Sequence, residues 1–196
     1  MGDDRFHRAI AAIDAANADD PERIGVRGET RPKELAHAEL MSAWVETLDP
    51  AASEALRLAA RAHHVRRWEI PRSSRPEGRR GYLEWRVALH DHHAQTTARI
   101  LEDAGYDAAL IERVGAILRK RGLGRDPEVQ TFEDALCLVF LETQLADFSS
   151  RHAEKLERVA RKTLRKMSPG GIEAALGLPL GDDARALLLR VGAESQ

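Results

Sequence analysis

"TFEDALCLVFLETQLADFSSRH", residues 131 to 152, decides the fold class. Asp134 leads Leu138, Leu141, Leu145 and Phe148 at intervals of four, three, four and three, which draws one stripe on a helix and none on a strand. Glu133, one residue earlier, stands about 100° away around that helix. The segment is the most apolar in the chain and is expected to be the central helix of a bundle. An acid heading such a stripe points to chemistry in the core, because an isolated buried carboxylate is costly unless paired, protonated or metal-bound.

The segments on either side follow the same periodicity. Phe6, Ile10 and Ile13 share one face of a helix expected from Asp4 to Ala18. "ADDPERIGVRGETRPKE", residues 18 to 34, reads as a loop, and Pro32 is expected in the first turn of a helix reaching about Leu48. "DPAASEALRLAARAHHVRRW", residues 49 to 68, reads as a helix stopped by Pro71. Further helices are expected from Gly81 to Ala104, over 107–122, over 153–167, and in a short piece opened by Ser168 and Pro169. No period-two run stands out. The expectation is an all-α single domain of about seven helices over residues 1–185, with 186–196 as a C-terminal tail.

Composition narrows the class of function. With 196 residues, 43% of them hydrophobic and 32% charged, the chain can bury the core of one domain. No apolar run approaches the roughly 20 residues that cross a bilayer. "MGDDRFHRAI" lacks the basic and apolar blocks of a signal peptide, so a cytoplasmic location without a membrane partner is the expectation. A net charge of −2 gives no global argument for a nucleic-acid partner, and no clear one is expected. The lone Cys137, inside an apolar helix, reads as a buried and inert thiol. Charge is concentrated in "RRWEIPRSSRPEGRR", residues 66 to 80, which either meets phosphate or carboxylate groups or is a solvated basic loop.

Four helices each aim a ligand-type side chain inward. His37 stands four residues before Met41 and seven before Trp44. His63 follows Ala59 by four and His64 follows Ala60 by four, so either can face the core. His93 follows Leu89 by four and precedes Ile100 by seven, whereas His90 and Asp91 turn away and His92 flanks the stripe. Together with Asp134 these imidazoles form a candidate site for a divalent metal ion: Zn, Mn, Mg or Fe. The alternative is that each histidine donates to a buried carbonyl while Asp134 pairs with an arginine or caps its own helix.

"LAARAHHVRRW", "HHAQTTARILEDAGYDAALIERVGAILRKRG" and "TFEDALCLVFLE" resemble, in order, segments of the HD-domain superfamily. The resemblance implies an all-α, metal-dependent fold, mostly of phosphohydrolases with some iron-dependent oxygenases. It puts His63 at the superfamily's His position and His64 at its Asp position, a departure that replaces a carboxylate by an imidazole. Asp134 matches the last ligand. "RPKELAHAELMSAWVETL", "LAARAHHVRRWEIPR", "GYLEWR", "DPEVQTFEDALCLVFLE" and "LRKMSP" are similar to the family known as domain of unknown function 4202, over about residues 5 to 180. That family implies no particular activity.

A metal in this place polarises a phosphoryl oxygen and acidifies a bound water, and nearby cations offset the charge that develops. Arg67, Arg72 and Lys120 are the candidates for those cations, with Glu133 as a proton acceptor or as a partner that orients a metal ligand. The expected function is a metal-dependent hydrolase acting on a phosphorylated small molecule or nucleotide, so an anionic small molecule is the expected ligand. Two alternatives stay open: a non-catalytic binder of an anionic metabolite or partner through an arginine-lined cleft, and an HD-type iron oxygenase. A homodimer also stays open. No phosphate loop, dinucleotide fingerprint, C-x-x-C pair or H-E-x-x-H is present.

Overall fold

The computed structural model describes residues 2–26, 28–149 and 153–193. The fold is all-α, but among the described residues nine α-helices stand where about seven were expected. Helix α1 (Gly2–Ala18) buries Ala9 and Ile13 and lays Phe6 and Ile10 against the core. The expected loop after it contains an antiparallel hairpin, β1 (Arg23–Val26) and β2 (Glu29–Pro32), in register from Arg23 opposite Pro32 to Val26 opposite Glu29. Its turn uses Gly28 at φ +86°, a conformation that costs glycine little. Period-two reading missed the hairpin because its residues are all exposed or half-buried, so no buried face imposes an alternation.

The base of the hairpin is tied to α2 (Lys33–Leu48) by Asp20, whose carboxylate accepts from the Glu22 and Glu34 amides at 2.9 Å each. Pro32 is the N-cap of α2, one position before the expected first turn. Helix α3 (Glu54–Arg61) is capped by the Ser53 side chain and ends well short of residue 68. The chain turns there because its carbonyls are used elsewhere: Val65 O accepts from His93 and Arg66 O lies 3.1 Å from His92 Nε2. Arg66 itself sits in the left-handed region at φ 50°. Short 3-10 turns at 67–69 and 72–74 lead to α4 (Gly78–Asp103).

Helix α5 (Ala108–Leu118) follows, capped by Asp107. Helix α6 (Pro127–Ser149) is the central helix expected from its sequence, and it is buried on two sides. Val129, Phe132, Ala135 and Val139 join a core cluster with α1 to α5, while Leu138, Leu141 and Leu145 join a second with the helices that follow. The Phe148 side chain lies outside the described residues. The second cluster is completed by α7 (Ala153–Leu164), α8 (Pro169–Leu176) and α9 (Asp182–Ala193). Residues 186–193 were expected in a tail, yet they continue α9, where Leu187, Leu188 and Val191 are buried. Among the described residues no helix is long and apolar enough to cross a membrane.

Candidate functional site

A cavity of about 450 Å³ opens between the two core clusters. One wall is built by α2, the turn after α3, and α4, which bring His37, His63, His64 and His93 together. His37, His63 and His93 are 3%, 4% and 2% exposed, and His64 is half-buried. The His63 and His64 rings stack with centroids 4.1 Å apart, and His93 tilts against His64 at 5.6 Å. The helical phase expected for His63 and His64 does not place them, since both lie beyond the end of α3. The reversal of the chain at 62–66 does.

Glu34 ties this wall together, and reading the apolar stripes alone missed it. Its Oε2 lies 3.3 Å from His37 Nδ1 and 3.0 Å from His64 Nδ1, and its Oε1 is 3.7 Å from Arg67 Nε. Burial works to raise the Glu34 carboxyl. The His64 imidazole, as an electrostatic partner, and the hydrogen bonds that both imidazoles donate outweigh it and hold the group well below the usual carboxylate range. Among the described residues, Glu34, His37 and His64 each offer a ligand-type atom within 4.8 Å of the others. A sequence signal existed: Glu34-x-x-His37 is the i, i+3 carboxylate–imidazole spacing by which bundles hold metals.

His93 and His63 differ from this pair. His93 Nδ1 donates to Val65 O at 2.9 Å, which leaves Nε2 as the acceptor nitrogen, buried without a partner. Among the described residues, neither ring nitrogen of His63 has a hydrogen-bond partner. Burial pushes the His63, His64 and His93 pKa values down, so these imidazoles are neutral near neutral pH. A buried polar atom left unpaired costs about 1–3 kcal/mol. His63 and His93 line the cavity, while these orphaned nitrogens themselves lie buried in its wall.

Asp134 is not part of this constellation. It is buried, but it does not line the cavity, and both its oxygens are engaged. Oδ1 accepts from Gln130 Nε2 and the Ser168 amide at 2.9 Å each, and Oδ2 accepts from the Ser168 hydroxyl. Ser168 in turn caps α8 by accepting from the Gly171 amide. The expectation of Asp134 as a metal ligand is therefore corrected: it fastens the start of α8 to α6. The cap it supports lies 34 residues away in sequence, so helical phase could show the inward aim but not the partner.

The opposite wall is cationic. Lys120, expected as a charge-offsetting residue, lines it and pairs with Glu133, whose other oxygen is 3.4 Å from Lys166 Nζ. Burial pulls the Lys120 ammonium below its ordinary pKa, with Glu133 opposing. Arg86 and Lys162 also line the cavity. His90 faces it too, contrary to the expectation that it turns away; burial, with Lys120 and Arg86 adding to it, lowers its pKa to about 4. Arg67 lines the histidine side, its guanidinium 5.0 Å from the Trp85 ring centroid. Arg72 does not line the cavity: its two terminal nitrogens donate to the Arg75 and Pro76 carbonyls and shape the loop. Cys137 is buried, and burial pushes its thiol up to about 12, so it is no nucleophile near neutral pH.

The family model described as domain of unknown function DUF4202 matches residues 7–188. The chain belongs to the DUF4202 family. Comparison with curated proteins and with solved structures gave no match. The matched span of this DUF4202 member includes the whole histidine wall and the cationic wall.

Proposed function

We propose that this protein is a metal-dependent hydrolase of a phosphorylated small molecule. The observation that carries the reading is a Glu34–His37–His64 ligand set beside a cavity whose far wall is cationic. One carboxylate and two imidazoles are a donor set of catalytic zinc sites and of non-haem iron sites that keep open positions. A divalent ion held there would supply Lewis acidity toward a phosphoryl oxygen and an acidified water. An Nδ1 that donates to Glu34 would have to give up its proton, to Nε2 or to solvent, before it could bind a metal, and Glu34 would have to be ionised, so metal binding weakens as the pH falls. Arg67 stands beside Glu34 to meet anionic oxygens on the histidine side. Glu133, with a lysine at each oxygen, acts as the anchor that holds Lys120 and Lys166 at the cavity.

Metal analysis of protein purified without chelator, joined to phosphate release from a phosphomonoester such as p-nitrophenyl phosphate, tests this reading. The expected result is a bound divalent metal, lost in Glu34→Gln, with phosphate release that depends on it. Trace metal and no metal-dependent release would sink the proposal. A second reading is favoured by the diversion of Asp134 to α8: a non-catalytic binder of an anionic metabolite or partner. Saturable binding without turnover, with or without metal, separates the two.

A further inference from the structure

Away from the histidines the cavity carries more positive charge than a single phosphoryl group at the metal-ligand end would use. Arg86 of α4, Lys120 after α5, and Lys162 and Lys166 at the end of α7 converge there, and Glu133 is the one carboxylate among the described residues lining the cavity. Glu133 is consumed by Lys120 and Lys166. Arg86 and Lys162 have no carboxylate partner among the described residues. Four cations gathered around one acid repel one another, and in a partly enclosed cavity that repulsion is screened less than on an open surface. Such an arrangement is stabilised by an incoming anion.

The geometry separates this cluster from the histidines. Arg86 and His93 are seven residues apart on α4, about 10 Å along the helix axis. Two loci therefore lie along one cavity: the imidazoles with Arg67 toward one end, and toward the other the lysines around Glu133 with Arg86 and Lys162.

We infer that the ligand of this cavity carries two separated anionic groups, and that Arg86, Lys120, Lys162 and Lys166 hold the second one. The assignment of the first group rests on the function proposed above; the second locus needs neither metal nor turnover. The substrate class is thus a small molecule with a phosphate at one end and a phosphate or carboxylate at the other. A nucleoside or sugar bearing one phosphoryl group alone would leave Arg86 and Lys162 without a partner.

The test uses the full chain in excess chelator and two probes: a hexitol bisphosphate, phosphorylated at both terminal carbons, and the corresponding hexitol monophosphate. Isothermal titration should give binding of the bisphosphate at least about tenfold tighter than of the monophosphate, since each added charge-assisted contact is strong. An Arg86→Gln/Lys162→Gln double variant should lose that preference, its affinity for the bisphosphate falling at least about tenfold toward that for the monophosphate. Both side chains are without carboxylate partners and neither is buried, so the variant is expected to fold, and its thermal unfolding checks this. Equal affinities for the two probes, a preference that survives the double variant, or no binding of either would overturn the inference. Retained preference for the bisphosphate without metal-dependent hydrolysis of any phosphomonoester would sink the hydrolase reading alone.

Discussion

Replacing Asp134 by alanine separates a ligand from a structural anchor. The carboxylate is 3% exposed and accepts three hydrogen bonds, from the Gln130 amide, the Ser168 amide and the Ser168 hydroxyl. Hydrogen bonds to a charged group contribute about 1.5–3 kcal/mol each, and they are not additive when they share an acceptor. Removing the carboxylate also strands the Ser168 amide and loosens the cap it makes on α8, an effect of about 1 kcal/mol. The expected loss is about 3–5 kcal/mol, which for a chain of this size lowers the melting temperature by roughly 10 °C. Urea and thermal unfolding followed by circular dichroism measure it, alongside metal content. Asp134→Asn keeps an acceptor for the Ser168 amide and should cost about 1–2 kcal/mol. If Asp134→Ala unfolds within about 1 kcal/mol of the parent and at the same time strips bound metal, the anchoring assignment is wrong and the ligand assignment is right.

The same contact predicts that Gly171→Ala is destabilising by about 1–3 kcal/mol, because its Cβ would lie 2.7 Å from Asp134 Cγ; an unchanged urea midpoint would contradict this. Leu188→Ala, at a fully buried site of α9, should cost about 2–5 kcal/mol, whereas a tail would give no change in thermal unfolding. Glu34→Gln should lower metal affinity at least about a hundredfold in competitive chelator titration, and wild-type affinity with equal stoichiometry would rule Glu34 out. The metal-free protein should lose stability as the pH falls below the ordinary imidazole value of 6.5, because burial lowers the folded pKa values of His63, His64 and His93 and the unfolded chain takes up protons the folded one refuses. Glu34, with its folded pKa depressed, adds a further loss below its ordinary value of 4.5, and flat urea midpoints from about pH 7 down to about pH 4 would refute both.

Legibility differed from one residue to the next. His37 and His93 lie inside regular helices, so their apolar neighbours four residues away correctly signalled burial. His63 and His64 are at the cavity for a reason the sequence did not display, since the helix that would have aimed them ends at Arg61. His90 was placed outward by the stripe of α4, yet α5 and α6 bring Lys120 and Glu133 to that side and enclose it in the cavity. Glu34 was passed over because a carboxylate in the first turn of a helix is usually explained by the helix dipole.

What the residues alone determined is local: the all-α class, the central helix α6 in outline, the inward aim of His37, His93 and Asp134, and membership of the DUF4202 family. Helical periodicity carries that much because one residue's direction depends only on its own turn of backbone. Which inward side chains meet is a matter of how separate helices dock. Docking joined Glu34 to His64 across 30 residues and gave Asp134 to Ser168 across 34. The histidine wall and the cationic wall face one another only because two core clusters, sharing α6, leave a cavity between them.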